Sequence, residues 1–185
     1  MTLQLIFEQH RAEILDKWHA LLIESYPKET GRFLRREKDA FANPVGARFI
    51  TSLEKVLRGF IDGGSPESWK DSLDEILRVR AVQDFSPAEA LRFIIDLKDV
   101  LHMTAAKSGE DTSPEDIRVF DKRVDRMLLT AFDVYSKCRQ DLYEIRVKEI
   151  SRQVERLLRT ARLMVDEPGP VENRPESDEK GENSE

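Results

Sequence analysis

The chain has one cysteine in 185 residues, Cys138, so it can form no internal disulfide and offers no C-x-x-C element for zinc. That scarcity predicts a reducing, cytoplasmic compartment, with Cys138 acting as a small apolar helix residue. Long apolar runs are missing too. No stretch approaches the roughly 20 residues of a membrane span, and the opening MTLQLIFEQHR has no basic segment ahead of an apolar core. The chain is therefore expected to be neither exported nor inserted in a membrane. Glycine and proline are sparse, at 8 each, and fall in clusters that leave long uninterrupted segments of helical periodicity. Strands are not expected. There is no nucleophile elbow, no phosphate-binding glycine loop and no partner arrangement for Cys138, so no common catalytic signature is present.

What the chain has in quantity is charge: 36% of residues, against 39% hydrophobic, the balance of a charge-rich helical protein. The net charge of -6 is unevenly placed. Residues 166–185 hold eight acids against Arg174 and Lys180, and so carry all of it. Met1 to Val165 is left with 28 basic and 28 acidic residues, which gives no net-charge case for nucleic acid. The tail DEPGPVENRPESDEKGENSE has Val171 as its one apolar residue besides Pro and Gly. It cannot offset the entropy of folding, and is expected to be a disordered, solubilising segment.

Leu3 to Tyr26 places Ile14, Leu15, Trp18, Leu21 and Leu22 on one helical stripe and is followed by Pro27, which predicts a first helix over that range. A short segment follows around Thr30 to Lys38. In FANPVG, Asn43 can cap and Pro44 can take the first helical position of a helix running to about Ile61. Gly63-Gly64 ends it. Ser65-Pro66 opens another helix, with Trp69, Leu73, Ile76 and Leu77 inward.

The strongest local signal is Gln83-Asp84-Phe85-Ser86-Pro87-Ala88-Glu89. Ser86 can accept from the Glu89 amide while the Glu89 carboxylate reaches back to the Ser86 amide, a capping box with proline first in the helix. The helix that follows carries Leu91, Phe93, Ile94, Leu97, Val100 and Leu101, a face broad enough to predict a nearly enclosed central helix. Gly109 to Thr112 breaks it, and Ser113-Pro114-Glu115-Asp116 repeats the capping logic.

From Pro114 to about Val165 there is no glycine and no further proline, which permits one helix of about 50 residues, on the order of 75 Å long. Its apolar stripe changes phase. Val124, Leu128, Ala131, Tyr135, Cys138, Leu142 and Ile145 keep one 4,3 spacing, suited to facing the domain. Tyr143, Val147, Ile150, Val154, Leu157, Ala161 and Met164 keep another, suited to a short parallel two-stranded coiled coil that Ala161 weakens. A homodimer is the expected assembly. The plain alternative is a helix that folds back on its own domain.

Arg78-Val79-Arg80-Ala81-Val82-Gln83-Asp84-Phe85-Ser86-Pro87, continuing through Ala90, Phe93 and Leu97-Lys98, is similar to the N-terminal domain of RsbRD-type RsbT co-antagonist proteins. Trp18, Tyr26-Pro27 and FANPVG match upstream elements of that family, so the likeness spans roughly Ile14 to Val165. The resemblance implies an all-helical, non-enzymatic sensory or interaction module related in role to globin-like input domains of stressosome proteins. Such modules dimerise and pass a signal along a linker helix, into a STAS domain in co-antagonists and a histidine kinase in some relatives. Too few residues follow Val165 for a STAS domain, so a free-standing member acting on a separate protein is expected. Free-standing relatives are also associated with dissimilatory sulfite reduction, which makes an accessory or regulatory role beside a redox complex the alternative.

Two helices carry Asp-x-x-His, Asp16 with His19 and Asp99 with His102; with Glu54 and Glu75 these would be the residues of a di-metal bundle. Asp is short for that role and both pairs flank the apolar stripes, so no metal or cofactor is expected. A haem on His102 rests on the globin analogy alone. Arg78, Arg80, Gln83 and Asp84 form the densest polar group beside the central turn, suited either to a ligand pocket or to bonding the turn's own backbone. The expectation is an all-α bundle of about six helices over residues 1–165, with its last helix projecting as a coiled coil. Its action would be by protein contact, without catalysis, nucleic acid or membrane insertion.

Overall fold

The computed structural model of the chain describes residues 2–36 and 41–165, with side chains to 161. The described residues form seven helices and no strand: α1 (Leu3–Gln9), α2 (Arg11–Glu24), α3 (Lys28–Arg36), α4 (Pro44–Ile61), α5 (Glu67–Val82), α6 (Pro87–Lys107) and α7 (Pro114–Val165). The chain divides after Tyr143 into two units, and the first holds the hydrophobic core. The acidic tail expected over 166–185 lies outside the described residues. Among the described residues no helix is long and apolar enough to cross a membrane.

The single helix expected from Leu3 to Tyr26 is broken at His10, whose φ of -99 and ψ of 13 end α1 and start α2. The two pieces serve different neighbours. Phe7 of α1 meets Phe120 edge-on at 5.0 Å, whereas Trp18 of α2 stacks on Phe93 at 5.8 Å and donates from Nε1 to the Phe93 carbonyl at 2.6 Å. Between them, Glu8 to Glu13 supplies no large apolar residue to continue one stripe, so nothing opposes the turn.

Asn43 caps α4 by accepting from the Gly46 amide at 2.8 Å, and its Nδ2 donates to the Leu34 carbonyl at 3.1 Å, tying α3 to α4. Gly46 is required here because a Cβ would fall 2.2 Å from Asn43 Nδ2. Helix α4 packs on α5, α2, α1 and α3, while α6 packs on α2, α1 and α5. The first unit's share of α7 adds Phe120, Val124, Met127, Ala131, Val134, Tyr135 and Cys138 to the core. Helix α6 is less enclosed than its apolar face suggested. Ile95 (52% exposed) and Met103 (48%) stand open, because α1, α2, α5 and α7 cover the opposite side.

The stripe assigned inward on α7 holds from Val124 through Leu142 and stops there, since Ile145 is 60% exposed. In the second unit Tyr143's successors Val147, Ile150, Val154 and Leu157 are all exposed, as is Ala161. Leu158, one place off that stripe, is exposed as well. The side chain of Met164 lies outside the described residues.

A candidate functional site around Arg80

The end of α5 and the start of α6 are joined by a tightly bonded turn. The Phe85 amide donates to the Arg80 carbonyl (3.2 Å) and the Asp84 amide to the Ala81 carbonyl (3.3 Å), the paired bonds of a Schellman helix end. Such an end needs a left-handed residue, and Asp84 fills it at φ 58 where glycine is usual. The capping box then starts α6: the Ser86 amide donates to Glu89 Oε2 at 3.0 Å and the Glu89 amide to Ser86 Oγ at 3.3 Å. The Ser86 hydroxyl also donates to Glu89 Oε2 at 2.6 Å, and this bond together with that from the Ser86 amide holds the Glu89 carboxyl below its ordinary range.

Helix α7 clamps the turn from outside. Tyr135 donates its hydroxyl to the Phe85 carbonyl, and Arg139 Nη1 donates to the Ala81 carbonyl (3.2 Å) and to Asp84 Oδ1 (2.7 Å). Arg139 Nη2 donates to the Tyr143 hydroxyl at 3.1 Å.

Beneath the turn lies Arg80, with no solvent exposure and no carboxylate within ion-pair distance among the described residues. Its Nη2 donates to Ser25 Oγ and its Nη1 to the Ala90 carbonyl at 3.4 Å, while Nε has no partner. Three rings surround the guanidinium: Phe85 at 4.5 Å, Tyr26 at 5.4 Å and Phe93 at 5.6 Å from their centroids. These quadrupoles replace part of the lost hydration. Burial pulls the Arg80 pKa below its ordinary value, opposed by Tyr26, Asp96 and Glu89, but a guanidinium has ample margin to remain charged. Tyr26 donates to Gln83 Oε1 at 3.0 Å, and burial pushes its phenol up to about 12. Above these residues runs a shallow groove of about 610 Å³ bordered by Ser25, Tyr26, Thr30, Gln83, Phe85 and Glu89.

Of the residues singled out from sequence, Arg80, Gln83, Asp84, Phe85, Ser86, Pro87 and Glu89 are brought together here. Arg78 is not. It points away and pairs with Asp74 at 3.0 Å. Sequence reasoning missed Ser25, Tyr135 and Arg139, which reach the turn from distant segments. It also missed the burial of Arg80, although Leu73, Leu77 and Arg80 keep the 4,3 spacing of α5's inner stripe.

The alternative metal positions do not meet. His102 Nε2 lies 2.7 Å from Asp121 rather than beside Asp99, Glu75 accepts from Ser52 at 2.6 Å, and Glu54 pairs with Arg58. Among the described residues no three His, Cys, Asp or Glu side chains are placed to share a metal ion. Cys138 is buried, donates to Asp74 Oδ1 at 3.6 Å, and is pushed up to about 11 by burial and by that carboxylate, so its thiol stays protonated at neutral pH.

Residues 12–150 match the family model described as the RsbT co-antagonist protein rsbRD N-terminal domain. A protein of Archaeoglobus fulgidus described only as an uncharacterized protein is 29% identical over 93 residues. That match takes in 50% of this chain and 58% of the relative, so less than two thirds of the relative's length is spanned. No solved structure matches. The matched segment includes the capped turn, the buried arginine beneath it and most of the domain-facing part of α7, and the chain belongs to the RsbT co-antagonist rsbRD N-terminal domain family.

Proposed function

We propose that the chain is a signalling or adaptor module that acts by contact rather than catalysis, and that it dimerises through the apolar stripe of its last helix. Family membership supports the signalling half of this reading. The observation that carries the other half is the exposure of Val147 (62%), Ile150 (59%), Val154 and Leu157 (70%) at alternating 3- and 4-residue spacing, in a segment otherwise almost wholly polar. Apolar residues so placed gain by meeting their own copies, and Val154 followed by Leu157, a β-branched residue at one core position and Leu at the other, suits two parallel strands.

The magnitude is modest. Burying one large aliphatic side chain is worth about 1.5–3 kcal/mol, and roughly half of that remains available to side chains already half covered. Eight of them across two chains give about 6–12 kcal/mol, against an association cost of about 4–15 kcal/mol. A concentration-dependent dimer is the expected result, of a strength that a bound partner can shift.

Light scattering coupled to size exclusion, run on the full chain over a wide concentration range, tests this. Dimer mass that rises with concentration, and monomer mass throughout for Val147→Glu/Leu157→Glu, would support it. A monomer at every concentration would remove the dimer. Stable stoichiometric co-purification with a redox complex would favour the accessory-subunit reading instead.

A further inference from the structure

A second cavity, of about 630 Å³, opens between the loop joining α4 to α5 and the first unit's part of α7. Its size falls in the range of about 300–1,000 Å³ usual for small-molecule pockets. Phe60 and Trp69 make an apolar floor, Gly63 and Gly64 leave one wall as bare backbone, and Lys122, Arg123 and Arg126 enter from α7.

The charge there is unbalanced. Between Pro114 and Tyr143, α7 carries six cations. Arg118 pairs with Glu115, Lys137 with Asp141 and Arg139 with Asp84. The other three are Lys122, Arg123 and Arg126; none has an ion-pair partner among the described residues, and all three border this one cavity. Like charges one turn apart on a helix repel one another, and an anion held between them would relieve that repulsion. The neighbouring acid does not fill that place. Glu67 is held by the Ser65 hydroxyl and by its own amide, which lower its pKa.

Arg123 is fixed in place. Its guanidinium lies 5.0 Å from the rings of both Phe60 and Phe120, and Nη2 donates to the Phe60 carbonyl. Gly63 turns the chain beside it at φ 75, a left-handed conformation that favours glycine. Burial and the adjacent Arg126 both lower the Arg123 pKa, the direction expected of a cation without a counter-charge.

We propose that this cavity binds a small phosphate-bearing ligand, with Arg123 as the fixed donor and Lys122 and Arg126 closing on the anion. A rigid guanidinium fork suits phosphate oxygens, and two flexible cations beside it supply charge for a multiply ionised group. Nucleic acid is the less fitting source of phosphate, because residues 1–165 are charge-neutral and the cations sit in a concave pocket rather than along a stripe. The site would give the signalling reading a ligand class, but its existence does not depend on dimerisation.

Calorimetric titration of the full-length chain with inorganic pyrophosphate at low ionic strength tests it. The comparison is Lys122→Ala/Arg126→Ala against Arg118→Ala/Lys137→Ala, which removes the same charge from the same helix. Lys122 and Arg126 are exposed, so the first variant is expected to melt like wild type without ligand. Saturable binding by wild type and the control, weakened about tenfold or more per cation removed at the site, is the expected result. No saturable heat with wild type, or equal weakening in both variants, would overturn the proposal. So would a short DNA duplex binding more tightly than pyrophosphate with a steep salt dependence lost in the site variant, since that would mark a nucleic-acid surface. Repeating the titration on Val147→Glu/Leu157→Glu separates the two readings: unchanged binding there leaves the site standing if the dimer fails.

Discussion

Arg139 of α7 places Nη1 2.7 Å from the Asp84 carboxylate and 3.2 Å from the Ala81 carbonyl, so one side chain neutralises the left-handed residue of the α5–α6 turn and satisfies a helix-end carbonyl. Asp84 therefore has two separable roles, its backbone conformation and its charge.

The roles separate by substitution. Asp84→Ala puts a Cβ without local bonding at φ 58, costing about 1 kcal/mol of strain, and loses a partly exposed pair worth about 0.2–1 kcal/mol. Asp84→Gly loses the pair but relieves the strain, so it should lie within about 0.5 kcal/mol of wild type. Urea denaturation of both variants checks this. Equal destabilisation would mean that the carboxylate, not the backbone, sets the turn.

Arg80 is the more consequential residue. It is fully buried without a counter-charge, so its contribution comes from packing against three rings as much as from its two hydrogen bonds. Arg80→Ala should cost about 2–5 kcal/mol through the cavity it leaves. Arg80→Met keeps most of the volume and removes a buried charge, and should lie within about 1.5 kcal/mol of wild type. A Met variant as unstable as the Ala variant would show that the charge itself holds α2, α5 and α6 together.

The parts of this architecture that were legible in the sequence are those written in short-range chemistry. Asn43-Pro44 and Ser86-Pro87-x-Glu89 mark helix starts because cap and amide lie three residues apart, and all their partners are in view. The length of α7 and the phase change of its stripe were legible for the same reason. What was not legible depends on distant partners: the break at His10 serves Phe120 and Phe93, and the clamp on the turn comes from Tyr135 and Arg139, more than 50 positions away from Phe85 and Ala81 on average. The left-handed Asp84 gave no glycine to announce it. As one of the polar group beside the turn, Arg80 gave no sign of its full burial, because arginine is seldom buried without a counter-charge, although its place on the inner stripe of α5 was there to be read.

Two buried acids of raised pKa, the Tyr26 phenol and the Cys138 thiol, should contribute to a loss of stability at alkaline pH. The ordinary values are 10.0 for the Tyr26 phenol and 9.0 for the Cys138 thiol; in the fold they rise to about 12 and about 11. Between each pair of values the unfolded chain has released its proton while the folded chain still holds it, so the unfolded state binds fewer protons. Stability from these groups is full below about pH 9 and falls as pH rises through 9 to 12. Thermal melting between pH 8 and 11.5 should therefore show a steeper decline for wild type than for Tyr26→Phe or Cys138→Ala. Parallel curves would place the alkaline loss elsewhere.

The two stripes of α7 make opposite predictions for the same substitution. Ala131 is fully buried, and Leu there would force several extra carbons into a packed core, costing about 1–3 kcal/mol at any protein concentration. Ala161 is exposed and occupies a core position of the proposed coiled coil, where Leu would fill space between two chains. Ala161→Leu should leave the monomer's stability unchanged and tighten the dimer, raising the melting temperature more as concentration rises. Melting curves over a hundredfold range of concentration, on the order used to resolve such linkage, distinguish the cases. If Ala161→Leu shifts neither the melt nor the dimer mass while Ala131→Leu destabilises as expected, the inward stripe stands and the outward one loses its role as a self-association seam.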